Sequence, residues 1–334
     1  MNNNFNEHDI RPEEYRAGME KAIAQDIKFL FDKKDNFIFV ECPACGLKKS
    51  KFAFEKFGFK FEKCGKCNTV FMNPRATPKI LNEFYSNSAN YAYWNKYIFP
   101  GSEVSRREKI VKPRVNKLLK ICEKFSISTD FLVEVGAGFG TFVEEIKRNG
   151  KFKKIIAIEP GKESAESCRK RGVETLESAV ENISSLPASP NVVAAFEVIE
   201  HLYSPADFIK NCRRLMAQNS IFIVTCPNFQ GFEIATLGLV SESIDAEHIN
   251  LFNPDSLRLL FERCGFDVLE CFTPGELDVD IVRNKIISGE FDISDNSFLK
   301  SVLIDKWDNL GNKFQAFLKE NQLSSHMWLV AKNK

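Results

Sequence analysis

The chain has 334 residues, 44% of them hydrophobic and 27% charged, with 46 Lys and Arg against 45 Asp and Glu. That balance excludes a partner held by net charge alone, such as bulk nucleic acid or an anionic membrane, and the length leaves room for one large domain and a smaller module. The start lacks a signal-peptide pattern and no apolar run nears the ~18 residues of a membrane span, so a cytoplasmic location is expected.

Residues 1–36 read as a polar start and an amphipathic helix over 13–31. The next segment, 37–75, carries Cys42-Pro-Ala-Cys45 and Cys64-Gly-Lys-Cys67, two Cys-x-x-Cys pairs eighteen residues apart. This spacing predicts a zinc ribbon in which each pair offers two thiolates to one Zn2+. Four thiolates close a tetrahedral shell and leave no position for water or substrate, so the metal is expected to be structural. Partial alternation over 51–61 fits hairpin strands. Ten basic residues against four acidic ones between Lys33 and Arg75 leave a surface that is either a solvated face or a contact for a phosphorylated ligand or nucleic acid.

Residues 76–127 follow the stiff exit at Asn73-Pro-Arg-Ala-Thr-Pro78 and read as a helical, aromatic linker and cap. Tyr91, Tyr93 and Trp94 are placed either against the core or over a pocket. Arg106, Arg107 and Arg114, on a charged helix expected over 103–125, either face water or grip an acceptor phosphate or carboxylate. From residue 128 to the end, apolar strands expected at 131–135, 154–158, 173–176, 191–196, 220–225, 266–273 and 326–331 alternate with helices at 139–149, 161–171, 204–217 and from Asn253 to Cys264. Alternation of this kind predicts a doubly wound α/β sheet of seven strands covered on both faces, here with a helical insertion over 277–323.

Ligands of such sheets sit beyond the carboxyl ends of the strands. There the first strand runs into Val133-Glu134-Val-Gly136-Ala137-Gly138-Phe-Gly140-Thr141. A dinucleotide fingerprint needs its third glycine where Thr141 stands, and Glu134 would repel a pyrophosphate while suiting a ligand with a cationic end. Glu159-Pro160 ends the second strand with a carboxylate suited to ribose hydroxyls, and Asn182 follows the third, either as a turn former or facing an adenine edge.

These segments, with Phe196-Glu197-Val-Ile-Glu200-His201-Leu202 after the fourth strand, resemble class I S-adenosylmethionine-dependent methyltransferases over most of 128–273 and the last strand. The resemblance implies a Rossmann-like methyltransferase fold with a reversed final strand. It implies that Glu134, Gly136, Ala137, Gly138 and Gly140 hold the methionine end of S-adenosylmethionine, Glu159 and Pro160 the ribose, and Phe196, Glu197 and His201 the wall beside it. A looser likeness, carried by the ribbon, the aromatic linker and Asp245-Ala-Glu-His248-Ile-Asn250, is to bacterial methyltransferases of sugar and surface-polysaccharide pathways. It implies a small-molecule acceptor, phosphorylated or nucleotide-linked.

An acceptor with a proton to lose needs a base: His248 is the candidate, either as that base with Glu247 to orient it or as a structural histidine, and the alternatives are Asn250 facing the acceptor and His201 as base. A nucleic-acid methyltransferase gripping RNA or DNA with its ribbon is disfavoured by the neutral charge and the absence of an Asn/Asp-Pro-Pro-aromatic turn. A non-catalytic cofactor-binding scaffold is the remaining alternative.

Overall fold

The computed structural model describes residues 5–334, so the first four residues of the expected polar start lie outside it. Its strands, in chain order, are β1 (Ser50–Lys56), β2 (Phe59–Cys64), β3 (Val70–Met72), β4 (Phe131–Val135), β5 (Lys154–Ile158), β6 (Glu174–Leu176), β7 (Val192–Phe196), β8 (Ile221–Pro227), β9 (Asn250–Leu251), β10 (Phe266–Phe272) and β11 (His326–Asn333). Seven of them form one sheet in the order β10-β11-β8-β7-β4-β5-β6. The strands from β8 to β6 are parallel, and β11 runs antiparallel between β8 and β10.

Every residue of β4 and β7 is buried, which is why these segments read as unbroken apolar runs. Val133, Val135, Ile156, Ile158, Val193 and Phe222 pack into the core on one face, and their chain neighbours Leu132, Ala157, Val192, Ala194, Ile221 and Ile223 into the core on the other. The period of two along each strand therefore fills two layers at once. Helices Thr141–Asn149, Lys162–Lys170 and Pro205–Leu215 link the parallel strands, and Pro254–Arg263 leads into β10.

The linker is a nearly continuous helical run from Ala89 to Lys124, widened into π turns at Trp94–Ile98 and Arg107–Val111. The ribbon is a four-stranded sheet whose edge is β9, a strand from deep in the following domain, with Val70 opposite Leu251 and Phe71 opposite Asn250. Two residues are too few to show a period, so the sequence carries no sign of β9. Ribbon side chains Phe59, Phe61, Val70 and Met72 share one core with Leu30, Ile80, Leu81, Phe84, Ile244, Ile249 and Leu251. The insertion supplies helices Asp278–Ile287, Ser297–Lys300 and Trp307–Glu320 around their own cluster of Val279, Val282, Val302, Leu303 and Leu318.

Arg75 joins the ribbon to the domain from a fully buried position. Its guanidinium donates to the carbonyls of Met72 (3.1 Å), Tyr203 (3.3 Å) and Ile249 (3.2 Å) and to Asn250 Oδ1 (2.9 Å). Asn250 in turn donates from Nδ2 to the carbonyls of Ile199 (3.4 Å), Glu200 (3.2 Å) and Leu202 (2.7 Å). Burial lowers the Arg75 pKa to about 10, so it stays charged at neutral pH. Replacing Arg75 with Met keeps the volume but strips donors from four acceptors, three of them buried. A loss of about 3 kcal/mol or more is expected in chemical denaturation.

Candidate active site

The loop between β4 and the helix Thr141–Asn149 lies at the carboxyl end of the sheet. Gly140, at φ +82°, caps that helix, and a Cβ there would lie 2.8 Å from Cys168 Sγ and 3.1 Å from Cys168 Cα. Its lack of a side chain lets the loop rest on the helix Lys162–Lys170. Gly138, at φ +52°, is different, because a Cβ there would meet nothing within 4 Å. It borders open space.

Two carboxylates flank this space. Glu159 is mostly buried at the end of β5, and its oxygens accept from the amides of Gly138 (2.8 Å) and Gly161 (2.8 Å). Burial raises its pKa and the two amides oppose the rise. Glu134 is buried, and its Oε2 has no hydrogen-bond partner among the described residues. Burial pushes its pKa well above the usual range, Arg114 pulls it down, and Glu159 pushes it further up. A cationic ligand end would offset that penalty. The donor set therefore fits a ligand with an ammonium or sulfonium group, as S-adenosylmethionine has. Pro160 follows Glu159, and Asn182 ends the short turn Val180–Asn182 after β6.

After β7, Phe196 packs against Phe142 (4.6 Å between ring centroids) and Trp328 (5.8 Å), with the Arg114 guanidinium 4.4 Å from its ring centroid. Glu197 turns at φ +54° and bonds His326 Nε2 at 2.8 Å and the Thr225 hydroxyl, with Arg114 at 3.8 Å. Burial works against its charge, but His326, Arg114 and Thr225 outweigh it and hold the carboxyl at about 2. Arg114 thus stands at the site. Arg107 pairs instead with Glu103, Glu144 and Glu145, and Arg106 donates to the Ile10 carbonyl and lies over Trp94 and Phe99. Neither holds an acceptor in this arrangement. Tyr91 packs edge-on against Tyr85, while Tyr93 and Trp94 pack on Tyr97 and Phe99.

The turn Ile199–His201 and the loop before β9 bring two histidines together. The rings of His201 and His248 are 4.7 Å apart. Nδ1 of His201 meets the Glu247 carbonyl at 3.2 Å, and Nδ1 of His248 meets the Ser243 carbonyl at 2.9 Å, with Asp245 Oδ2 at 3.4 Å. Burial and the neighbouring His248 lower the pKa of His201 to about 3, so its ring is neutral. The structure therefore sets His201 beside His248. Glu247 does not orient His248 with its side chain: the carboxylate accepts from Asn90 Nδ2 (2.9 Å), and burial and Asp245 raise it to about 8. Asn250, expected at the acceptor, is buried in the Arg75 network. Glu200, which sequence reasoning passed over, lies 1% exposed beneath the histidines. A signal for it exists in the sequence, since Glu-His occurs three times, at 7–8, 200–201 and 247–248, and the histidines of the last two converge.

The four cysteines of the ribbon also converge. Cys42 and Cys67 sulfurs are 3.5 Å apart, Cys45 and Cys64 sulfurs 3.4 Å, and all four lie within 4.8 Å of one another. A tetrahedron with metal–sulfur bonds of about 2.3 Å has sulfurs about 3.8 Å apart, so the set fits one ion. The knuckles are clamped to the domain, where Asn253 Nδ2 donates to the Cys67 carbonyl (3.1 Å) and Arg263 to the Ala44 carbonyl.

A parallel sheet with one reversed strand at β11, a glycine loop after β4 and a carboxylate ending β5 define a Rossmann-like methyltransferase. Residues 104–271 match a family described as a methyltransferase domain, and the chain belongs to that family. It is 30% identical over 146 residues to a Mycobacterium tuberculosis protein named a probable S-adenosylmethionine-dependent methyltransferase, covering 42% of this chain and 50% of that one. A Mycolicibacterium smegmatis protein of similar name is 33% identical over 90 residues, 26% of this chain and 34% of its own. The chain thus spans a third to a half of the length of these curated relatives. Among solved structures, an S-adenosylmethionine-dependent methyltransferase from Archaeoglobus fulgidus is similar with a TM-score of 0.48 at 20% identity, over 71% of this chain and 100% of that one.

The glycines separate binding from stability. Gly138→Ala is expected to unfold within about 1 kcal/mol of the parent, since only backbone strain opposes it, yet to weaken S-adenosylmethionine binding at least ~10-fold by calorimetry. Gly140→Ala, pressed against Cys168, is expected to destabilise the fold by more than Gly138→Ala does.

Proposed function

We propose that this chain transfers a methyl group from S-adenosylmethionine to a small-molecule acceptor, a sugar, nucleotide sugar or related precursor. The observation that carries the reading is the open cradle at Gly138, flanked by Glu134 with its unpaired oxygen and by Glu159. In that cradle Glu134 faces the cationic methionine end, Glu159 the ribose, Asn182 the adenine edge, and Phe196 and Glu197 form the wall. When bound, the cofactor supplies a methyl group already activated on a sulfonium. The protein's part is alignment and exclusion of water.

His248 activates the acceptor. With Nδ1 tied to a carbonyl, its Nε2 carries the lone pair able to take a proton from the acceptor as the methyl arrives. Arg114, next to Glu197, is the cation available to an acidic group on the acceptor. The near-neutral charge supports a small molecule over nucleic acid.

Cys42, Cys45, Cys64 and Cys67 hold a structural Zn2+ in this reading. Its role is to keep the two knuckles on the helix Pro254–Arg263.

Two measurements test these assignments. His248→Gln is expected to lose methyl transfer, read as a mass gain of one methyl across a nucleotide-sugar panel, by ~100-fold or more while S-adenosylmethionine still binds. Unchanged turnover would remove His248 from the mechanism. Elemental analysis is expected to find one zinc per chain in the ribbon, absent from Cys64→Ser, with strong chelation lowering the melting temperature; a metal-free parent of equal stability would refute the zinc assignment.

A further inference from the structure

Glu200 is 1% exposed, yet neither of its carboxylate oxygens has a hydrogen-bond partner among the described residues. Buried carboxylates are as a rule paired, because leaving water without a new partner is costly. What surrounds this one is two histidines: Glu200, His201 and His248 each offer one ligand atom, all within 4.8 Å of one another. Both rings are held at Nδ1 by main-chain carbonyls, of Glu247 and Ser243. A carbonyl only accepts, so each Nδ1 carries the proton and each Nε2 is left as a lone pair. With Glu200 ionised, the cluster is three acceptors with no donor among them.

Such a set is completed by a cation. Imidazoles oriented through N–H to a carbonyl are held as metal-binding histidines are held, and two imidazoles with one carboxylate suit divalent first-row transition ions. Ligands about 2.1 Å from an ion stand about 3 to 4 Å apart, so a small inward turn of these side chains closes the set. We propose that Glu200, His201 and His248 bind a divalent first-row transition cation, at a site separate from the four cysteines.

Three protein ligands leave positions open. His201 and His248 are only partly buried, so the cluster opens toward solvent on their side. The open positions would take an oxygen of the acceptor, an assignment that rests on the methyltransferase reading above. With the ion in place His248 acts on the acceptor through the cation, so loss of turnover in His248→Gln fits both accounts. Metal binding separates them.

The test uses the full chain with zinc in its ribbon, freed of weakly held metal by brief dialysis against EDTA and titrated with Mn2+ while the free-ion EPR signal is followed. Mn2+ favours oxygen and nitrogen donors and competes poorly for thiolates. One saturable Mn2+ per chain is expected, with affinity falling at least ~10-fold in Glu200→Gln and in His201→Gln. Retained S-adenosylmethionine binding by calorimetry shows that each variant is folded, and if one fails to fold the other carries the test. No saturable Mn2+ binding in the parent, or equal affinity in a folded variant, would overturn the site. A parent that binds Mn2+ but not S-adenosylmethionine would uphold the site and overturn the methyltransferase reading.

Discussion

A single buried guanidinium sets the geometry on which the active region depends. Among the described residues Arg75 has no carboxylate opposite it, only three carbonyls and the Asn250 amide. Because the charge is out of water, each of those bonds is one the fold cannot give up cheaply. Asn250 passes the constraint on, holding the carbonyls of Ile199, Glu200 and Leu202. The turn that aims Glu200 and His201 is therefore fastened to the ribbon. The ribbon, remote from the chemistry in sequence, is a part of the frame that shapes it.

The two ends of the site differ in their electrostatics. At the cofactor end Glu134 is costly as an anion until a cation approaches, whereas Glu197, beside His326 and Arg114, is stable as an anion with no ligand present. One carboxylate is prepared to receive charge and the other is already satisfied. The first is thus open to a charged ligand end, and the second is held by its own neighbours.

Much of this was legible in the sequence, for identifiable reasons. Buried strands such as β4 and β7 show unbroken apolar runs, and the Cys-x-x-Cys pairs announce convergence through spacing alone. The glycine loop marks itself because few other residues turn that way. What stayed hidden depends on partners far along the chain. Asn250 looks like a loop residue near an acceptor, and only its contact with a residue 175 positions earlier makes it a core strut. Glu197 and Glu200 lie three residues apart in one motif, and a short turn decides that the first meets His326 while the second points beneath the histidines. Pattern reading has no access to that turn.

The strand β9 carries one more consequence, for the order in which the molecule assembles. Residues 50–72 leave the ribosome long before 250–251, and until then Val70 and Phe71 present an open edge. The ribbon's cysteines can gather early, but its sheet is finished only after most of the domain has been made. Such non-local pairing slows folding and ties both parts into one cooperative unit. A boundary drawn after residue 75 would divide the chain in sequence while cutting through one sheet and one core in space.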